Sequence, residues 1–139
     1  MKYLSIFSLI SFVGLSGCSF STTDVRLTLC ENLTIEMLGQ STQFEWISND
    51  IIFKGYEDLE VKLQYRNNDD TGLSSCFYSY DTIDENAMTQ SDPASAYSTY
   101  PNKMLLNGNL IDHKLLASTI NSILINQGKA VFNSETNLK

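Results

Sequence analysis

The chain is predicted to fold as an α+β domain, an antiparallel meander of three to four strands packed by an N-terminal and a C-terminal helix. Three observations predict it. A capped stretch with helical spacing near residue 24 is followed by segments whose hydrophobic period is two, and an apolar stretch with helical spacing returns after residue 112. The 139 residues include only two prolines. Residues 24–139 make one ordinary domain, long enough to bury a core covering roughly two thirds of its unfolded surface.

The first helix opens at Asp24, which follows Thr22 and Thr23 and can cap the residues after it, and Gly39 stands beyond its end. Leu29, Cys30, Leu33, Met37 and Leu38 obey the i, i+3, i+4 rule, so Cys30 belongs to the buried stripe. From residue 43 the period changes. Phe44 and Trp46 alternate with Glu45, and Ser48, Asn49 and Asp50 read as a turn into Ile51, Ile52 and Phe53, which predicts short strands. Residues 59–65 alternate without a fault, with Leu59, Val61, Leu63 and Tyr65 on one face and charged or amide side chains on the other; one face of the sheet is therefore wet. Residues 67–72 read as a loop, and residues 73–80 return as a partner strand on which Cys76, Tyr78 and Tyr80 share a face.

Residues 81–102 hold both prolines, several serines and threonines, and the acidic group Asp81, Asp84 and Glu85. They read as a long loop, and long loops in compact domains carry function more often than average. Asn107-Gly108, flanked by apolar residues, signals a hairpin. Asp112 then caps a second helix through Gln127, with Leu116, Ile120, Ile123 and Leu124 on one face and Gly128 as its stop.

Few residue patterns point to chemistry. Asn67, Asp69, Thr71 and Gly72 imitate the start of a calcium loop. The first position lacks aspartate, however, and Tyr78 stands where a bidentate glutamate is required. His113 is the sole histidine, no G-x-S-x-G elbow accompanies it, and it falls in the first turn of the second helix, so no catalytic residue is assigned. The acidic group reads as a solvated cluster. No cofactor or metal is expected. Tyr97, Tyr100 and Pro101, with Tyr78, Tyr80 and Trp46, form the most suggestive set, because tyrosine offers a flat apolar face with a polar tip; these residues also suit a core edge.

The first 18 residues form a segment apart. Met1 and Lys2 supply a positive start, residues 4–13 an apolar run too short to span a bilayer, and Leu15-Ser16-Gly17-Cys18 ends it. This segment resembles the signal peptide and lipobox of bacterial lipoproteins. The resemblance implies lipidation through the Cys18 sulfur, cleavage before Cys18 and removal of residues 1–17. It implies a location in the bacterial cell envelope, with Ser19 favouring the outer membrane on its periplasmic side. Residues 18–23 become a lipidated tether, and the five residues after Cys18 reach at most ~17 Å, which keeps the domain near the bilayer.

The charge balance fits an anchor made by lipid alone. The chain carries 16 acidic and 9 basic residues, a formal net charge of −7, and becomes one unit more negative when Lys2 leaves with the leader. Its scattered basic residues exclude nucleic acid as an expected partner and give no attraction to an anionic bilayer. In an oxidising compartment the remaining cysteines, Cys30 and Cys76, are expected to pair, closing a loop worth about 4 kcal/mol. If they pair, the first helix must cover the Cys76 face of the sheet.

Together these readings favour a non-enzymatic, membrane-anchored protein-binding or assembly factor whose partner is another envelope protein, engaged by the loop from Asp81 to Pro101. The alternative is glycan or small-ligand binding through the tyrosine and tryptophan side chains. An envelope hydrolase ranks third.

Overall fold

The computed structural model describes residues 24–39, 44–54, 57–80 and 96–136, with side chains described as far as residue 129. The lipobox, the tether and the acidic group Asp81, Asp84 and Glu85 lie outside the described residues. Two helices and a five-stranded antiparallel sheet make an α+β fold, with one helix at each end of the domain. The elements are α1 (Val25–Leu38), β1 (Phe44–Ile52), β2 (Leu59–Asn67), β3 (Asp70–Tyr78), β4 (Lys103–Leu106), β5 (Asn109–Leu110) and α2 (His113–Thr136). Every strand pairs with its sequence neighbours in the order β1-β2-β3-β4-β5, a pure meander.

Helix α1 starts where its cap predicts. Asp24 Oδ1 accepts a hydrogen bond from the Arg26 amide at 2.8 Å, satisfying one of the donors that a helix N-terminus leaves unpaired. At the other end Gly39 has φ 74°, a conformation glycine adopts without a Cβ penalty, and its N–H donates to the Glu36 carbonyl. The helix buries Leu29, Cys30 and Leu33. They meet Leu59, Val61 and Leu63 of β2, Cys76 and Tyr78 of β3, and Met104 of β4.

In β1 the structure departs from the expected turn: Ser48, Asn49 and Asp50 lie inside one nine-residue strand. The reason is a bulge between Trp46 and Ser48, where the pairing partner moves by only one residue, from Tyr65 to Gln64. Phe44 and Trp46 share the inner face before the bulge, and Asn49 and Ile51 share it afterwards, opposite Leu63 and Val61. One inserted residue thus returns Ile51 to the core side. Ile47, the inserted residue, is exposed.

The loop expected over 67–72 is likewise shorter. Asn67 pairs with Asp70, so only Asn68 and Asp69 turn the chain, and Thr71 and Gly72 are already in β3. Such a tight hairpin keeps these side chains along a strand instead of converging them on an ion. Gly72 faces Tyr65, and any Cβ at that position would fall on the tyrosine ring and on Asn107 Oδ1.

The Asn107-Gly108 hairpin forms as expected, with φ of 51° and 79°, the left-handed pair that a two-residue hairpin favours. Asn107 then ties two hairpins together. Its N–H donates to the Leu73 carbonyl at 2.7 Å, its Oδ1 accepts from the Leu73 amide at 2.9 Å, and its Nδ2 donates to Tyr65 Oη at 3.0 Å. Helix α2 begins after Asp112, whose Oδ1 accepts from the amides of Lys114 and Leu115. It buries Leu116 and Ile123. Its end differs from expectation: Gly128 does not stop it, and the helix continues to Thr136. Leu124 is partly exposed at 36% instead of belonging to the buried face.

Cys30 and Cys76 form a disulfide, with sulfurs 2.06 Å apart and a sequence separation of 46. It joins α1 to β3 as the expected pairing requires. Beside it Thr34 Oγ1 is hydrogen-bonded to the Cys30 carbonyl at 2.7 Å and to Ser74 Oγ at 2.8 Å, a second polar link between helix and sheet.

Candidate functional site

The densest polar constellation in the described residues gathers at the start of α1 around Arg26. Its side chain is 8% exposed, yet its charge is well provided for. Nη1 lies 3.2 Å from Asp24 Oδ1, Nε donates to the Ser98 carbonyl at 3.0 Å, and Nη2 donates to the Tyr97 carbonyl at 2.8 Å. A planar guanidinium suits this task because its donors point in fixed directions, and a carboxylate neighbour offsets the cost of burying the charge. Tyr78 Oη donates to the Arg26 main-chain carbonyl at 2.8 Å. Burial, chiefly, pushes the Tyr78 hydroxyl far above its ordinary range, and Asp24 adds to the rise while Arg26 opposes it.

This constellation fixes the two ends of the segment between β3 and β4. Tyr80 forms a bridge with Tyr97, Ser98 N–H donates to the Ser79 carbonyl at 2.9 Å, and Asn102 N–H donates to the Phe77 carbonyl at 2.9 Å. Asn102 Nδ2 also donates to Ser79 Oγ. The rings stack edge to face in a row, Phe53 on Tyr97 at 6.0 Å and Tyr97 on Tyr80 at 5.4 Å between centroids. This paired base is where the chain on either side of residues 81–95 is held.

The tyrosines expected to share one binding surface are therefore divided. Tyr78 is fully buried, with its hydroxyl on the Arg26 carbonyl, and Tyr97 is 6% exposed, with its ring packed between those of Phe53 and Tyr80; neither presents a ring to a ligand. Pro101 is also buried and Tyr80 is half-buried. Only Tyr100 of the set stands well exposed, at 50%. Trp46 belongs to a separate half-buried cluster, 4.7 Å from Phe44 and 6.5 Å from Tyr65 between centroids.

Arg26 was not among the residues singled out from the sequence. A signal for it exists: Arg26 occupies the position that continues the Leu29, Cys30 and Leu33 stripe toward the N-terminus, where an unpaired charge would not be tolerated.

His113 lines an open groove of about 580 Å³ with Asp58, Asn102, Lys103, Leu110, Ile111 and Asp112. Asp112 is engaged in capping α2, and Lys103 Nζ sits over the Phe77 ring, 4.1 Å from its centroid. Among the described residues lining the groove there is no serine, threonine or cysteine to serve as the nucleophile of a triad. Among the described residues no group of three or more histidine, cysteine or acidic side chains is placed to hold a metal ion. No helix among them is long and apolar enough to cross a membrane. The chain matches no protein-family model, no curated protein and no solved structure.

Proposed function

We propose that this chain is a lipid-anchored bacterial envelope protein that binds another envelope protein through residues 81–101, without catalysing a reaction. One observation carries the reading: the base of that segment is paired at Tyr80 and Tyr97 and fastened by Arg26 to the first turn of α1. A segment this long whose ends are held by a charged, buried clamp suits display from a rigid scaffold. The same helix turn opens at Val25, seven positions after Cys18. Lipidation at Cys18 would place the clamp, and the segment it carries, close to the bilayer surface.

Replacing residues 81–95 by a Gly/Ser linker of equal length tests the reading while leaving Tyr80, Tyr97 and Arg26 in place. Affinity purification of the full chain from membranes should lose partners that the parent retains, with thermal stability unchanged. An identical set of partners overturns the assignment of binding to this segment. Anchoring is tested separately by Cys18→Ser, which should abolish acylation and leave unprocessed precursor; normal maturation and membrane partition would overturn it.

A further inference from the structure

We infer that Phe20 docks in the groove between the first turn of α1 and α2, clamping the chain's own N-terminal tether to the domain. The groove, about 360 Å³ in volume, is lined by Val25, Thr28, Leu29, Thr99, Tyr100, Leu124 and Gln127. Val25, Tyr100 and Leu124 are 54%, 50% and 36% exposed, an apolar rim that solvent meets at a cost. Its size suits a side chain: an apolar cavity of about 150 Å³ in another protein takes up benzene.

The position of the groove selects its occupant. Its wall includes Val25, the residue at which α1 starts, so the tether is joined covalently to the domain beside the rim. Between Cys18 and Asp24 stand Ser19, Phe20, Ser21, Thr22 and Thr23, of which Phe20 alone carries an apolar side chain. Its Cα can lie no farther than about 14 Å from that of Asp24, within reach of the rim. The contact would work as a hydrophobic staple does, an apolar residue before the cap packing on the helix that follows. A second copy fits less well, since a stable dimer buries about 800 Å² on each partner. A bilayer is a poor match for a concave site.

The contact needs no lipid, but its consequence rests on the proposed anchor at Cys18. With Phe20 held, only Ser19 separates the lipid from the domain. The α1 start and Tyr100 then face the bilayer in a fixed orientation instead of swinging on a five-residue tether.

Crosslinking in the full chain tests this directly. A diazirine-bearing phenylalanine analogue is placed at position 20, cells are irradiated, and crosslinked peptides are identified by mass spectrometry. Crosslinks should join position 20 to peptides carrying residues 25–29, 99–100 or 124–127. They should fall at least fivefold when Tyr100→Ser and Leu124→Gln are combined, both at exposed positions. Crosslinks mainly to lipid, to other proteins or to other segments, or none at all, overturn the proposal, as does a yield that the double substitution leaves unchanged. As a second measurement, Phe20→Ser should lower the Tm by about 4 °C and Phe20→Leu should recover most of it; equal Tm values in all three proteins count against docking. The same digests report the mass of the Cys18 peptide. An unlipidated Cys18 with intact crosslinks overturns the anchor and leaves the groove contact standing, whereas lipidated Cys18 without crosslinks does the reverse.

Discussion

Arg26 concentrates more interactions than any other described side chain, and most of them satisfy groups that would otherwise be buried unpaired. Replacing it by methionine keeps the apolar stem and the capping bond from the residue 26 amide to Asp24, but strips donors from the Ser98 and Tyr97 carbonyls and removes the guanidinium that pairs with the Asp24 carboxylate. Arg26→Met should therefore cost about 2 to 3 kcal/mol. Arg26→Lys should recover only part of this, because an ammonium cannot donate in the same fork. Urea unfolding of both variants measures the difference, and equal stability of parent and Arg26→Met would show that the clamp contributes little.

Glu60 gives a pH-dependent counterpart. Burial pushes its carboxyl upward, but hydrogen bonds from Lys54 and Ser75 and the charges of Lys54 and Lys62 outweigh it, so the group stays below the usual glutamate range. A folded-state pKa below the unfolded value adds stability above the unfolded pKa, and that stability is lost as pH falls through the folded pKa. Lys54 Nζ lies 3.1 Å from Glu60 Oε2, with Lys54 partly exposed, so the interaction is worth only about 0.5 kcal/mol. Glu60→Gln should thus be less stable than the parent by that amount at pH 7, and the gap should close as pH falls below about 4. A difference that holds constant between pH 7 and pH 3 would show that the charge is not its source.

At the scale of elements, α2 offers the sharpest contrast between local signal and outcome. Gly128 is an ordinary helix stop when tertiary contacts or a left-handed cap use it, yet here it lies inside the helix and nothing stands within 4 Å of where its Cβ would be. Gly128→Ala should accordingly stabilise the protein, by about 1 kcal/mol. A drop in Tm instead would show that the helix ends near Gly128 in solution. The strands teach a related lesson. The perfect alternation of 59–65 and the Asn107-Gly108 turn were legible because period and turn chemistry are local properties. Ser48-Asn49-Asp50 misled because those turn-forming residues sit after a bulge, and a bulge depends on the partner strand, which no local pattern reports. The split of the tyrosines between core and surface was hidden for the same reason. Whether a tyrosine hydroxyl reaches water or the carbonyl of Arg26 is decided by a contact 52 residues away.

Considered whole, the described residues form a single helical layer on one face of a sheet whose other face carries Lys62, Gln64 and Arg66. Such a two-layer domain has a modest core, so covalent attachment between its layers matters. The Cys30–Cys76 bond supplies it at the centre, where both residues are fully buried among Leu33, Val61 and Tyr78. Closing a loop across a sequence separation of 46 lowers the entropy of the unfolded chain by an amount worth about 4 kcal/mol, a large share of the roughly 5 to 15 kcal/mol that holds an ordinary domain together. Substitution of both cysteines by alanine removes the constraint without leaving a buried thiol, and the double variant should lose about 2 to 5 kcal/mol. Because the pair also joins the helix that follows the tether to the strand that ends at Tyr78, its loss should loosen the Arg26 clamp. Hydrogen exchange should then accelerate at the amides of Ser98 and Asn102, which pair across the base of the 81–95 segment, more than at the Asn107-Gly108 turn. Uniform acceleration across all of these amides would indicate that the disulfide acts only on global stability. Unchanged stability in the double variant, or two free thiols in protein taken unreduced from cells, would show that the layers are held by packing alone.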